Sequence, residues 1–311
     1  MTRVLEQIGN TPLVPLSRIG QGLRATVLVK CEHLNPGGSV KDRIALAIVN
    51  DAERRGALSP GMTIIEATAG NTGVGLALVA AARGYDLVCV MPEKMSTDKR
   101  ASLRALGARV IVTPNAPPAS PENFQHVARR LAAEHGWFLA DQFENPANPR
   151  VHEETTAAEI VGQVGGSVGA FVSGAGTGGT ITGVGRHLKR QSPRTQIILA
   201  DPLGSGLADW VESGTLGPDG TYEVEGIGGS QVPTNLDRSV VDRAERVSDA
   251  ESFAMVKRLV REEGLLVGGS AGTNVVAALR VAARGDLDGP VVTVMCDSWD
   301  RYRAKPWMQG W

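Results

Sequence analysis

Short, continuous apolar runs alternate with longer runs of helical period along nearly the whole chain, and this constrains the fold more than any other feature. "TVLVK" (26–30), "TIIEA" (63–67), "DLVCVM" (86–91), "RVIVT" (109–113), "VGAFV" (168–172), "TQIILA" (195–200) and "PVVTVM" (290–295) read as strands. A strand that is apolar throughout, and not only at every second residue, is buried on both faces. The helical stretches between them are long enough to carry the chain back for a parallel pairing. The pattern predicts an α/β fold of mostly parallel twisted sheets covered by helices. A length of 311 residues is enough for about two such domains.

Helix boundaries follow from punctuation. "KDRIALAIVNDAERRG" is predicted to stop at Gly56 and "NTGVGLALVAAARG" at Gly84. A further helix is predicted to run from near Ser96 to Gly107. Ser120-Pro121 and Asn148-Pro149 each offer a capping residue followed by a proline, and each is predicted to start a helix. "SDAE" (248–251) is a capping box, with its helix ending near Gly264.

Composition excludes several function classes. A net charge of −1 gives no general attraction to nucleic acid or an anionic membrane. Aromatic residues at 4% do not support base stacking. Cys31, Cys89 and Cys296 lie far apart, the five histidines are scattered, and no metal-ligand spacing occurs. Reduced thiols, the polar start "MTRVLEQIGN" and the lack of an 18-residue apolar run lead us to expect a cytoplasmic protein without a membrane segment.

Chemistry concentrates in glycine-rich loops between strands and helices. "EATAGNTGVG" (66–75) carries Asn71, "SGAGTGGTITGVG" (173–185) carries Thr177 and Thr180, and "GGSAG" (268–272) carries Ser270. Small residues let backbone N–H groups approach a ligand, and the following helix N-terminus attracts its negative charge. Gly174, Gly176 and Gly179 also match GxGxxG, with Asp201 ending the next strand, so a dinucleotide-dependent oxidoreductase is a competing reading. The blander readings are glycines serving turns alone, and Ser270 as an ordinary helix cap. In "NPGGSVKDR" (35–43), Lys41 stands where a helix begins, an end that disfavours an ammonium. A lysine that gives its amine to a phosphate-bearing aldehyde resolves that conflict. Together with a hydroxyl-rich phosphate loop, an asparagine loop and a separate serine, it describes a pyridoxal 5'-phosphate site.

The chain resembles the fold-type II pyridoxal phosphate enzymes, the cysteine synthase and cystathionine β-synthase group. The resemblance runs from "IGNTPLVPL" (8–16) through "NPGGSVKDR", "EATAGNTG", "GAGTGGT", "EGIGG" and "GGSAG". It implies that Lys41 carries the cofactor as a Schiff base and is the catalytic residue. It implies that Asn71 bonds the ring hydroxyl, that Gly176, Thr177, Gly178, Gly179 and Thr180 hold the phosphate, and that Ser270 meets the pyridine nitrogen. Thr68, Gly70, Thr72, Gln142 and Gly226 are implied to bind the substrate. Two α/β domains are expected, 1–12 with 35–145 and 13–34 with 146–311, with the cofactor between them in a homodimer.

Within the group, "MPEKMS", "LRALGA", "YEVEGIG", "EEGLLVGGSAG" and "DSWDRYRAKPW" resemble the cystathionine β-synthase branch. The implied reaction is condensation of serine or O-acetylserine with homocysteine; the alternative is O-acetylserine with sulfide. Two positions depart from the branch: Ala69, where many relatives have serine, and Gly229, where the eukaryotic enzymes have tyrosine. The haem segment and regulatory module of longer members are expected to be absent.

Overall fold

The computed structural model describes residues 3–68, 70–93, 95, 97–117 and 119–309. The strands in chain order are β1 (Leu13–Pro15), β2 (Val27–Lys30), β3 (Thr63–Ala67), β4 (Asp86–Pro92), β5 (Arg109–Thr113), β6 (Phe138–Leu139), β7 (Ala170–Ser173), β8 (Gln196–Pro202), β9 (Arg243–Val247) and β10 (Val291–Val294). The helices are α1 (Lys41–Arg54), α2 (Asn71–Arg83), α3 (Thr97–Ala105), α4 (Phe124–His135), α5 (Ala147–Val151), α6 (Ala157–Val164), α7 (Gly179–Gln191), α8 (Leu207–Ser213), α9 (Asp249–Arg258) and α10 (Gly269–Arg284).

The chain forms two compact units. One takes Met1–Ile8 and Asn35–Asn148, the other Gly9–Leu34 and Pro149–Trp311. The first holds a four-stranded sheet, β5-β4-β3-β6, parallel throughout. One of its faces packs Ile65, Ala67, Val88 and Val90 against Val127, Ala128 and Ala132 of α4. The second holds a six-stranded sheet, β1-β2-β10-β7-β8-β9, in which only the β1–β2 pairing is antiparallel. Val172 and Ile198 turn to the side covered by α10, Phe171 and Leu199 to the side covered by α7. Residues of both parities along a strand are therefore buried, and this is why its strands read as continuous apolar runs.

Two predicted helix starts are corrected. Ser120 and Pro121 form a turn, and α4 begins only at Phe124, where the Asn123 side chain accepts the Gln125 N–H at 3.0 Å. Helix α5 begins at Ala147, ahead of Asn148-Pro149, because the Asn145 side chain accepts the Ala147 N–H at 3.0 Å. The Asn148 amide is spent instead on the Gln142 carbonyl, at 2.7 Å. The expected start near Ser96 lies outside the described residues; Thr97 is the first residue of α3. The capping box at Ser248 and Glu251 forms, and the helical path continues through a π turn, Leu259–Glu263, to Gly264.

Candidate active site

In the second unit the loop 174–178 leads from β7 into α7. Its glycines are there for close approach. A Cβ on Gly176 would strike the Gly226 carbonyl oxygen, and Gly178 has a φ of 82° with Leu236 packed against it. The Gly228 N–H donates to the Ala175 carbonyl at 2.9 Å, so the 226–228 segment and the loop hold each other. The first turn of α7 leaves N–H groups without intrahelical acceptors, and Thr177 and Thr180 add hydroxyls beside them.

Two neighbours of this loop went unread in the sequence. The Asn274 side chain accepts the Gly174 N–H at 2.7 Å and donates to the Val294 carbonyl at 2.8 Å. It lies one turn after Ser270 in "SAGTN", which is the only signal the sequence offers for it. His152, set aside as one of five scattered histidines, is buried on a π turn, His152–Thr156. Its Nε2 lies 3.2 Å from Thr180 Oγ1. Ser270 is the second residue of α10 and is buried; Gly268, with no side-chain bond, caps that helix. The reading of Ser270 as a helix cap therefore fails.

In the first unit Lys41 opens α1 and Asn71 opens α2. The helices touch where Gly75, one turn after Asn71, would place a Cβ 3.0 Å from the Lys41 carbonyl oxygen. Asp42 stands beside Lys41 at the same helix start, and its buried carboxylate accepts the Gly37 N–H at 2.5 Å, closing the "NPGGS" turn. Thr68, Gly70, Thr72 and Gln142 come together. The Gly70 N–H donates to Thr68 Oγ1 at 3.3 Å, and the Thr72 hydroxyl donates to Gln142 Oε1 at 2.5 Å. Ala69 lies outside the described residues.

Burial disfavours two of the cysteines as nucleophiles. Burial pushes the Cys31 thiol up to about 11 and Cys89 up to about 12, so neither supplies a thiolate near neutral pH. Asp201, the expected ribose contact of the dinucleotide reading, is fully buried, and its Oδ2 accepts the Ala208 N–H at 2.8 Å. One oxygen of that carboxylate is therefore taken by the start of α8. No cluster of metal-ligating side chains occurs among the described residues.

The residues fit a phosphate monoester. The loop concentrates N–H and hydroxyl donors at one helix start, and the glycines leave no side chain to fill the cradle. The family described as pyridoxal-phosphate dependent enzymes matches residues 4–297. The chain belongs to that family. Cystathionine β-synthases of Oryctolagus cuniculus, Apis mellifera and Rattus norvegicus are 48%, 47% and 48% identical over 99%, 100% and 99% of the chain. The match takes in 56%, 62% and 55% of those proteins, so the chain spans a little over half the length of these relatives. A crystal structure of O-ureido-L-serine synthase superposes with a TM-score of 0.91 at 39% identity, covering 100% of this chain and 96% of that one. A lysine-to-alanine mutant of that protein, bound to O-ureido-L-serine, superposes with a TM-score of 0.88 at the same identity, covering 100% of this chain and 94% of that one. The enzyme is thus a pyridoxal phosphate-dependent, fold-type II member of the cystathionine β-synthase and cysteine synthase group.

Proposed function

We propose that this chain catalyses β-replacement, condensing serine or O-acetylserine with homocysteine to cystathionine. The observation that carries the reading is the 47–48% identity to cystathionine β-synthases over 99–100% of the chain. A structural feature of the second unit supports it. Of the segments that set this branch apart, "YEVEGIG" and "DSWDRYRAKPW" are held to each other: Lys305 pairs with Glu225. Within the second of them, the Tyr302 hydroxyl donates to Asp297 at 2.7 Å, and Trp307 stacks on Phe253 with ring centres 4.7 Å apart.

In this reading Lys41 would hold the cofactor, and its Nζ would take and return the Cα proton of the substrate. The bound cofactor supplies an electron sink for bonds broken at Cα. Residues 176–180 hold its phosphate with N–H and hydroxyl donors, and Asn71 bonds the ring hydroxyl. Thr68, Gly70, Thr72 and Gln142 receive the substrate carboxylate, and Gly226 borders the substrate. Ser270 offers the pyridine nitrogen a neutral hydroxyl and does not force a proton onto it. The Cβ–O bond would break and a Cβ–S bond form in its place, the thiol proton leaving with hydroxide as water or with acetate as acetic acid. A cytoplasmic homodimer completes the proposal, with the free thiols of Cys31, Cys89 and Cys296 in accord with a reducing compartment.

A second reading is cysteine synthesis from O-acetylserine and sulfide. Gly229 supports it, because a glycine offers homocysteine no side chain to pack against. Catalytic efficiency measured for serine and O-acetylserine, each with homocysteine and with sulfide, decides between them. Homocysteine is expected to win with at least one donor; sulfide winning with both overturns the first reading.

A further inference from the structure

We propose that Glu66 is the positioning residue of the substrate-carboxylate clamp: its buried carboxyl grips the amides of Gln142 and so fixes the side chain that meets Thr72. The inference rests on the reading of Thr68, Gly70, Thr72 and Gln142 as that clamp. It adds a residue that makes no contact with substrate in that reading.

The geometry starts from β3. Glu66 is the fourth of its five residues, two before Thr68, and is 1% exposed. Its register partner on β4 is Cys89. A carboxyl in the middle of a buried parallel sheet is costly unless it is hydrogen-bonded. Three donors reach it from the turn after β6. The backbone N–H groups of Asp141 and Gln142 and the side-chain amide of Gln142 donate to it. Asp141 sits at a φ of 48°, a left-handed conformation rare outside glycine. That turn presents two successive amides to Glu66, and the grip of the carboxyl compensates for the strain.

Gln142 is thereby committed at both ends. Its nitrogen faces Glu66, which leaves Oε1 to accept the Thr72 hydroxyl at 2.5 Å. Its carbonyl accepts the Asn148 amide at 2.7 Å, so the backbone cannot drift either. Without Glu66 the Gln142 amide loses its reason to point nitrogen inward, and Thr72 loses a fixed acceptor. A clamp that must order itself as substrate arrives binds more weakly.

Charge adds a measurable signature. Burial pushes the Glu66 carboxyl up to about 8, and the Asp141 carboxyl adds to the rise while the amides of Gln142 and Asp141 oppose it. Of the neighbouring titratable groups, Cys89 on β4 stays a neutral thiol. Asp141 is itself raised by burial and paired with Arg129 of α4 at 3.6 Å, and Glu144 also pairs with Arg129. Near neutral pH Glu66 is protonated, and Oε2, which has no hydrogen-bond partner among the described residues, is the oxygen able to carry the proton. Above about pH 8 it becomes an anion behind a site for another anion, so the substrate carboxylate is repelled.

The test uses the cofactor-loaded enzyme with L-serine. KM, kcat and the dissociation constant from the absorbance change on L-serine binding are followed from pH 6.5 to 9.5 (pH values about which Glu66 titrates). Glu66→Ala is expected to raise KM and the dissociation constant about five- to hundredfold, with kcat much less affected. Glu66→Gln still accepts the amides and is expected to restore binding near neutral pH, while abolishing the part of the alkaline rise that Glu66 causes. Infrared difference spectra are expected to show a protonated carboxyl lost through about pH 8 in the wild type and absent in Glu66→Gln. Thr72→Val and Gln142→Ala separate the two claims. If both weaken L-serine binding while Glu66→Ala does not, the clamp stands and the role given to Glu66 is wrong. If neither weakens binding, the clamp reading fails and this inference with it. Should Glu66→Ala not fold, an alkaline rise in Glu66→Gln equal to that of the wild type overturns the proposal.

Discussion

His152 links Thr180 to Thr156: its Nε2 lies 3.2 Å from Thr180 Oγ1, and its Nδ1 lies 2.9 Å from Thr156 Oγ1. A neutral imidazole has one donor nitrogen and one acceptor. If Thr156 donates to Nδ1, Nε2 carries the hydrogen and Thr180 must accept it. The Thr180 hydroxyl proton is then directed elsewhere, and in the proposed site it goes to the cofactor phosphate. The helix α7 stays against this π turn because Gly183 has no side chain to strike Pro149.

Thr177→Ala and Thr180→Ala are expected to weaken cofactor retention. Each loses a hydrogen bond to a charged group, about 1.5–3 kcal/mol, or roughly 10- to 150-fold in affinity. His152→Ala removes only the group that orients Thr180 and is expected to cost about 0.5–1.5 kcal/mol. Titration of the stripped protein with pyridoxal 5'-phosphate checks all three. Unchanged affinity in both threonine variants would place the phosphate elsewhere.

Lys41→Ala is expected to abolish turnover and to leave the fold intact. Alanine is a good helix former, and an ammonium at the first position of α1 is not what holds that helix. The start of α1 rests on Asp42, whose carboxylate closes the turn to Gly37. Turnover together with a circular dichroism melt checks both halves of this expectation. Normal turnover in the variant would remove Lys41 from the mechanism.

What was legible in the sequence follows from physics of short range. Strands β3 and β5 occupy the predicted residues 63–67 and 109–113: β3 is buried and apolar at nearly every position, while β5, a half-exposed edge strand, was legible from its β-branched run 110–112. Strand β9, "RAERV", escaped notice because it is an edge strand, half-buried and charged. Strands β1 and β6, of three and two residues, are too short to show a period. The loops assigned to the proposed site were visible because close approach demands glycine, and glycine is conspicuous. The residues that orient the site were not, since each acts across a long stretch of chain. Asn274 meets Gly174 from 100 residues away, and Gln142 meets Thr72 from 70. Gln142 was found by resemblance, whereas Asn274, His152 and Glu66 emerge only from the folded geometry.

Stability is expected to depend on pH through Asp201. Burial pushes its carboxyl from 3.8 up to about 6. Between those values the native state holds a proton that the unfolded state has lost, so stability falls as pH rises through this window. Relative to Asp201→Asn, which does not titrate, the wild type is expected to lose about 2–3 kcal/mol between pH 3.5 and pH 6.5. Denaturant unfolding of both proteins across that range measures the difference. A difference that stays flat would mean that Asp201 is ionised in the native state with an ordinary carboxylate affinity for protons.

Ser270→Asp is expected to stay folded and to lose β-replacement. Position two of α10, a helix of 16 residues, is one where the helix dipole favours an added negative charge, so the fold has a reason to accept it. The site is buried, which strengthens whatever charge is placed in it. In the proposed reading a carboxylate there draws a proton onto the pyridine nitrogen. The aspartate would thus deepen the electron sink that the bound cofactor supplies, and so disfavour quick departure of the Cβ group. Turnover is expected to fall at least about tenfold, equivalent to roughly 1.4 kcal/mol in the barrier. Ser270→Ala, which removes the hydroxyl without adding charge, is expected to lose less. Equal losses in the two variants would mean that the hydroxyl matters for its hydrogen bond, and wild-type rates in Ser270→Asp would end the assignment of Ser270 to the pyridine nitrogen.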